Sequence, residues 1–217
     1  MAIRTRVLAA VTRLVAVLLV PIAHFRAPGH ARFLACQWAL SLRFPDEDLR
    51  GLAPQTATAF MYARAEAFWR DGQLIGLTSG YRDPAEQHRI FAAEVRRTGS
   101  VSAARRRVLP PQESSHVRGL ALDVRPTEGA RWLEQHGGRY GLYRVYDNEW
   151  WHFEYRVVAP VRLPHPDAAA WPSQHRAAYG QCQVRGNGPG RYEPRPDNGG
   201  GRPPMPAGPA EGPRTWP

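Results

Sequence analysis

Two short motifs in the chain contain side chains that can bind a metal ion and move a proton. His116 and Asp123 lie seven residues apart in the segment SSHVRGLALD, and His152 ends the later segment EWWH. Two imidazoles and one carboxylate form a ligand set for zinc, and a catalytic zinc keeps its fourth position open for water. Glu149 supplies a nearby carboxylate that can take a proton from that water. The two motifs therefore predict hydrolytic chemistry.

The second motif also predicts how its residues lie in a strand. Residues three apart in a strand point to opposite faces, so Glu149 is expected where the chain enters the strand, before alternation begins. His152 would then face the metal together with Trp150 and Glu154. The aromatic residues of the other face would pack behind the site: Trp151, Phe153 and Tyr155. In the first motif, Gly119 lets the chain bend between the two metal ligands.

Three helices are predicted to support these motifs. The first covers residues 55–70, where apolar side chains recur at helical spacing, and Gly72 lies just beyond its expected end. The second begins at Asp83, which can cap it, and continues to residue 97. The third begins at Thr127, whose hydroxyl can cap it, and ends before residue 137.

Strands are predicted where apolar, aromatic or β-branched residues cluster, over residues 74–79, 120–124, 140–146 and 150–158. Residues 98–111 are expected to form a basic loop. The resulting order is helix, strand, helix, strand, helix, strand, strand. This order predicts a mixed α+β domain.

The two ends of the chain differ in composition from the middle. Residues 1–30 are interpreted as a signal peptide or membrane anchor, because arginines precede an apolar stretch over 14–23. That stretch is shorter than the ~20 residues of a confident membrane span. A buried N-terminal helix of a cytosolic protein is the alternative. Residues 166–217 form a Pro/Gly-rich tail without hydrophobic periodicity, which predicts disorder. The catalytic domain is therefore expected over 31–165.

The net charge and the cysteine content indicate which partners and which cellular compartment suit the chain. The net charge is +10 and the pI about 10.5, which suits an anionic wall polymer or membrane surface, or only a solvated basic surface. No nucleic-acid partner is expected, because the chain has no recognisable recognition module and its aromatic residues cluster in the predicted core. Cys36 and Cys182 permit one disulfide in an exported protein, although the sequence does not establish the pairing.

Together the motifs resemble the zinc D-alanyl-D-alanine peptidase family. Its pattern is S-x-H-x-x-G-x-A-x-D followed by E-x-x-H, and it is complete here: Ser114, His116, Gly119, Ala121, Asp123, Glu149 and His152. The family contains vancomycin-resistance-type dipeptidases and carboxypeptidases, phage L-alanyl-D-glutamate endolysins and, more distantly, the hedgehog signalling domain. An upstream S-G-Y-R, typical of the family, occupies residues 79–82. The resemblance covers roughly residues 45–158.

The resemblance implies a fold and a role for each position. The fold would be α+β and hedgehog/DD-peptidase-like, a single small domain with a central antiparallel sheet and packed helices carrying a zinc site. The Zn²⁺ ligands would be His116, Asp123 and His152. Glu149 would be the general base and then the acid, and Arg82 would hold the scissile carbonyl oxygen or its developing oxyanion. The remaining family positions would bind substrate: Ser114, Gln87 and Tyr81.

The implied function is a zinc-dependent carboxypeptidase that hydrolyses the terminal D-Ala of peptidoglycan stem peptides. A D-Ala-D-Ala dipeptidase and an L-Ala-D-Glu endopeptidase remain open, because no sequence feature shows how far the cleft is closed. A non-catalytic zinc-stabilised binding module is a further alternative, against which the presence of Glu149 and Arg82 argues. The predicted export signal favours an enzyme of the cell envelope, secreted or anchored by its N-terminal segment, and a monomer is expected.

Overall fold

The computed structural model describes residues 2–168 of the chain, and side chains from residue 6 onward. The predicted disorder of the tail and the pairing of Cys182 concern residues outside this range. The helices are α1 Ala2–Arg26, α2 Ala31–Arg43, α3 Pro54–Asp71, α4 Pro84–Thr98, α5 Val101–Arg105 and α6 Thr127–His136. The strands are β1 Gly76–Ser79, β2 Ala121–Arg125, β3 Leu142–Arg144 and β4 His152–Tyr155. Short 3-10 helices cover Pro28–His30 and Gly137–Tyr140.

The four strands form one antiparallel sheet in the order β1-β2-β4-β3. The core lies where α3 and α6 contribute apolar side chains against those of the sheet, with Phe60, Leu122 and Phe153 fully buried. Burying side chains of this size contributes roughly 1.5–3 kcal/mol each. The predicted α+β class with a central antiparallel sheet is confirmed.

Helix ends follow the expected chemistry at two of the three predicted helices. The Asp83 carboxylate caps α4 by accepting a hydrogen bond from the backbone N–H of Ala85 at 2.8 Å. Helix α3 ends at Gly72, which takes the left-handed conformation that glycine adopts at little cost. The expected cap at Thr127 is wrong, because Thr127 is the first helical residue of α6. The capping position belongs to Pro126, and no side chain caps this helix end.

Two further expectations need correction. Residues 98–111 are not all loop, because α5 forms within them and Ser100 Oγ accepts the backbone N–H of Ala103 at its start. The last two strands are shorter than predicted, because a 3-10 helix precedes β3 and turns surround the Glu149 segment. Periodicity alone does not reveal these local hydrogen-bonded turns.

The N-terminal segment forms a helical hairpin of α1 and α2, which the sequence analysis does not predict. Arg6–Arg26 is long and apolar enough to cross a membrane, and an 18-residue window within it has a mean hydropathy of 2.1, with 17% of that window buried. The stretch extends beyond residues 14–23 because it continues through Arg13, whose guanidinium donates to the Trp69 carbonyl of α3. A signal sequence has the same properties, so signal and anchor both remain predictions.

Cys36 lies inside the cluster that joins this hairpin to α3 and is fully buried. Burial raises the pKa of its thiol to about 12, despite the lowering effect of nearby Arg64. The thiol is free within the described residues, and the protonated, buried form is a poor nucleophile.

A buried ion pair fixes the edge of the sheet. Glu47 contacts the Arg64 guanidinium at 2.8 Å, and its other oxygen accepts the backbone N–H of Leu77. Because β1 is an edge strand, this N–H would otherwise lack a partner in the sheet. Arg64 also donates to Gln37 of α2, so the Arg64–Glu47 pair connects α2, α3 and β1.

We expect Gly119→Ala to destabilise the fold more than Gly99→Ala. Both glycines have φ of +68°, but an added Cβ at position 119 would lie 2.5 Å from the Gly51 carbonyl oxygen, whereas position 99 is open. Both variants incur backbone strain, and only the first adds overpacking of about 1–3 kcal/mol. Urea unfolding of both variants measures the difference. Equal losses of unfolding free energy would show that the close approach at Gly119 carries no cost.

Candidate active site

The central strand pair brings two of the predicted metal ligands face to face. Asp123 of β2 is the direct register partner of His152, the first residue of β4. His116 lies in the turn before β2, held there by backbone hydrogen bonds from Gly119 N to His116 O and from Ala53 N to Gly119 O. Both histidines are about 5% exposed, so their orientation is fixed by the surrounding protein.

The three predicted ligands form one compact group. Asp123 Oδ1 lies 3.3 Å from His116 Nε2 and 3.0 Å from His152 Nδ1. One ligand atom from each residue lies within 4.8 Å of the others. His116 Nδ1 contacts the Gly80 carbonyl oxygen at 2.6 Å, so this nitrogen is the one that carries the proton. Its Nε2 lone pair is therefore left for a metal.

Glu154 gives His152 the corresponding orientation. Its Oε1 lies 3.2 Å from His152 Nε2 and accepts a hydrogen bond from Ser115 Oγ at 2.6 Å, while Oε2 contacts Arg156. Burial would raise the pKa of Glu154, but the hydrogen bond and charge of His152 and the charge of Arg156 lower it to about 2. A carboxylate that accepts from Nε2–H leaves Nδ1 for the metal.

Strand alternation predicts Glu154 on the face of the metal but assigns it no role. Its spacing of two residues from His152 is the only available signal, and many strand residues share such a spacing.

Glu149 has the surroundings of a proton acceptor. Its Oε2 lies 3.8 Å from His152 Nδ1, and its side chain is largely buried. Burial raises its pKa to about 7, with the nearby positive charges of His152 and Arg82 opposing the shift and the negative charge of Asp123 adding to it. A carboxyl group with this pKa can both accept and return a proton near neutral pH.

Arg82 contacts Asp123, one of the three predicted metal ligands, from the side of β1. It donates from Nη2 to Asp123 Oδ2 at 2.6 Å, from Nε to Ser79 Oγ at 2.9 Å and from Nη1 to Gln87 Oε1 at 3.3 Å. Asp123 Oδ2 is thereby occupied, so Oδ1 is the oxygen left facing both histidines. An arginine has five N–H groups, and two of those of Arg82 have no partner among residues 2–168.

The predicted substrate-binding residues do not all reach the cleft. Ser114 is buried and lines it, and Gln87 also lines it. The Gln87 amide, however, donates to the Leu109 carbonyl at 2.7 Å and accepts from Arg82, so part of its capacity is already used. Tyr81 is not among the described residues that line the cleft. Its ring packs against Gly51, where an added Cβ would come within 2.4 Å of it.

The cleft has a volume of about 460 Å³ and holds side chains that the sequence analysis does not single out. Tyr146 stacks on His152 with ring centres 5.3 Å apart. Trp151 lines the cleft and does not pack behind the site, while Trp150, expected to face the metal, is 40% exposed. Arg107 adds a second cation to the lining. Trp150 and Trp151 lie in the turn before β4, so they do not follow the alternation of the strand.

Comparisons with known proteins agree with the sequence motifs. The family model VanY, described as D-alanyl-D-alanine carboxypeptidase, matches residues 50–158. A search of curated proteins found no match.

Among solved structures, the chain is similar to a point mutant of the vancomycin-resistance D,D-pentapeptidase VanY, from a VanB-type resistance cassette, in complex with Zn(II). Sequence identity is 27% and the TM-score 0.44, and the match covers 50% of this chain and 76% of that one. It is also similar to the LD-carboxypeptidase LdcB, at 25% identity and a TM-score of 0.45, covering 52% of this chain and 64% of that one. A third similar structure is the L,D-carboxypeptidase DacB from Streptococcus pneumonia, at 26% identity and a TM-score of 0.41, with coverages of 49% and 67%.

We expect Glu154→Gln to weaken Zn²⁺ binding by roughly 10–100-fold, the usual effect of changing a residue that orients a ligating histidine. The amide can turn its NH₂ towards His152 Nε2, which moves the imidazole proton to Nδ1 and blocks the metal. Competition with a chelator on the metal-free chain measures the affinity. Glu86→Gln on α4, where the side chain is 42% exposed, is the matched control. Equal Zn²⁺ affinities in the two variants would contradict a role for Glu154 in orienting His152.

Proposed function

The chain belongs to the VanY family of D-alanyl-D-alanine carboxypeptidases, and on that premise we propose that it is a zinc-dependent carboxypeptidase. Its substrate would be the peptidoglycan stem peptide, from which it removes the terminal D-Ala. The observation that carries the proposal is the His116–Asp123–His152 group beside the buried carboxyl of Glu149 in one cleft.

The three proposed ligands fit zinc in number and in kind. Two imidazoles and one carboxylate leave a fourth position open, as in catalytic zinc sites. The nitrogen that each histidine presents is set by an acceptor on its other nitrogen, Gly80 O for His116 and Glu154 for His152. When bound, zinc would supply Lewis-acid polarisation of the scissile carbonyl and a lowered water pKa.

Glu149 would carry the proton. Its buried carboxyl has a pKa of about 7, so near neutral pH it can accept a proton from the attacking water and return it to the leaving amine. A cation bound nearby would lower the pKa of Glu149 from this raised value. The acidic limb of the rate profile is therefore expected at or below about pH 7, with activity lost as Glu149 becomes protonated.

Arg82 would stabilise negative charge that develops on the carbonyl oxygen. Its guanidinium is held on Asp123, Ser79 and Gln87, so it is oriented before substrate arrives. The two remaining N–H groups can donate to the oxyanion without reorganisation.

A non-catalytic zinc module is disfavoured by the same cleft. A purely structural zinc is typically enclosed by four protein ligands, whereas this group offers three and opens into the cleft. Peptide substrates decide among the related activities. Hydrolysis of a stem pentapeptide would show D,D-carboxypeptidase activity, and hydrolysis of a stem tetrapeptide would show L,D-carboxypeptidase activity. Cleavage of the free dipeptide D-Ala-D-Ala would show dipeptidase activity, and cleavage of an internal L-Ala-D-Glu bond would show endopeptidase activity.

The proposed location is the cell envelope, where such substrates occur. The apolar Arg6–Arg26 stretch would act as signal or anchor, residues 31–165 as the monomeric catalytic domain and residues 166–217 as a tail. The basic charge would favour an anionic wall polymer or membrane surface.

We expect Glu149→Ala to retain Zn²⁺ and substrate binding but to lose about 10²–10⁴-fold in turnover, the usual contribution of general acid–base catalysis. Release of D-alanine from a stem pentapeptide measures turnover, and metal analysis of the same sample controls for zinc loss. Wild-type turnover in a zinc-loaded Glu149→Ala protein would rule out this mechanism.

Arg82→Lys should lower kcat by about 10²–10³-fold at saturating substrate, because an oxyanion forms only in the transition state. A lysine ammonium cannot reproduce the planar fork that contacts Asp123 and the substrate together. Arg89→Lys on the exposed surface of α4 is the matched control. An effect confined to KM would make Arg82 a ground-state substrate anchor instead.

A further inference from the structure

A second cavity lies away from the catalytic cleft, where α1, the end of α2 and the end of β2 meet. It has a volume of about 270 Å³, and its lining includes Leu8, Arg43, Phe44, Asp46, Leu74 and Arg125. It shares no lining residue with the catalytic cleft. None of the proposed chemistry of the peptidase uses this cavity.

Two arginines of this cavity lack anionic partners among residues 2–168. Neither Arg43 nor Arg125 forms an ion pair or donates a side-chain hydrogen bond to any residue in the described part of the chain, and the Nε of each is buried without a partner. Other buried or half-buried arginines are paired, such as Arg64 with Glu47 and Arg105 with Asp167. Buried donors without partners are rare because each loses its hydration.

Phe44 holds the two guanidinium groups close to each other. Their Cζ atoms lie 4.9 and 5.3 Å from the centre of its ring, so they are at most about 10 Å apart. Phe44 is itself fixed, since it is 5% exposed and its ring fills the space beside Gly76, where an added Cβ would lie 2.8 Å away. The cation–π contacts position both groups but satisfy none of their N–H donors. Two like charges at this separation repel, and an anion between them would remove that repulsion.

We propose that the Arg43–Arg125 cavity binds a phosphate group. Guanidinium forks match the oxygens of phosphate in paired hydrogen bonds, and a phosphate monoester carries close to the two negative charges that two arginines balance. Asp46 also lines the cavity and opposes any anion there. A carboxylate offers two oxygens to the two guanidinium forks and a phosphate monoester offers three, so we expect the phosphate monoester to form more of these hydrogen bonds and to bind more tightly.

The phosphate can come from a soluble molecule or from a lipid headgroup. Leu8 of α1 lines the cavity, and the same helix exposes a row of large apolar side chains: Val7, Val11, Leu14, Leu18 and Ile22. If α1 is retained as an anchor that lies along the membrane surface, this arrangement would place a headgroup phosphate in the cavity while the helix contacts the acyl region. The two sources share one site chemistry and are separated by experiment.

The test uses the full chain with two phosphate probes. Calorimetric titration measures the affinity for the soluble probe, glycerol 3-phosphate, and for acetate as the carboxylate comparison. Co-sedimentation with phosphatidylcholine vesicles, with and without phosphatidic acid, measures the lipid probe. Arg43→Gln and Arg125→Gln each remove one charged donor and should weaken binding of the active probe about 10–100-fold. Asp46→Asn should strengthen binding, a response that loss of folding cannot produce.

Arg96→Gln is the matched control, an equal loss of charge at an exposed position of α4. Unchanged D-alanine release by Arg43→Gln shows that the variant is folded. Binding of glycerol 3-phosphate that depends on Arg43 supports a site for soluble phosphate, and vesicle binding alone that depends on Arg43 supports a headgroup site. If neither probe binds, or if Arg43→Gln and Arg96→Gln behave alike with both probes, the proposed site does not exist.

Discussion

The pairing of Asp123 with His152 across β2 and β4 is the constraint on which the rest of the site depends. These two residues are direct register partners in the middle of the sheet. A shift of one residue would turn one of them to the opposite face. The register is stabilised by burial of Leu122 and Phe153, the neighbouring partners, in the core beneath. The same packing that stabilises the domain therefore sets the geometry of the proposed metal ligands.

Charge compensation around Asp123 is the second requirement. Three acidic side chains, Asp123, Glu149 and Glu154, are largely buried in a small volume. Burial alone would raise the pKa of Asp123, but hydrogen bonds and charges from both histidines hold it well below its usual range. Among residues 2–168, Glu149 receives no such hydrogen bonds, and burial raises its pKa to about 7. This difference in surroundings supports the proposal that Asp123 binds the metal and Glu149 transfers the proton.

Much of the fold and the central group of the site could be predicted from the sequence. The spacing within each motif, from His116 to Asp123 and from Glu149 to His152, is local, and strand alternation relates residues near in sequence. The Asp83 cap and the Gly72 helix end are also local, and both are as expected.

The features that could not be predicted depend on distant contacts. Arg82 meets Asp123 across 41 residues, whereas the family motif implies only a role towards substrate for this arginine. The carboxylate of Glu154, which would orient His152, is held by Ser115, 39 residues away. Tyr81 fits the family motif but packs on Gly51, outside the cleft lining, because the loop before α3 runs beside it. The α1–α2 hairpin could not be foreseen because its apolar residues fit a targeting signal equally well.

The most direct test of the proposed site is zinc X-ray absorption of the purified full chain. We expect nitrogen and oxygen neighbours at about 2.0–2.2 Å, including two imidazoles, and one imidazole fewer in zinc-reconstituted His152→Ala. Sulfur neighbours at about 2.3 Å, or an unchanged imidazole count in the variant, would show that zinc binds elsewhere.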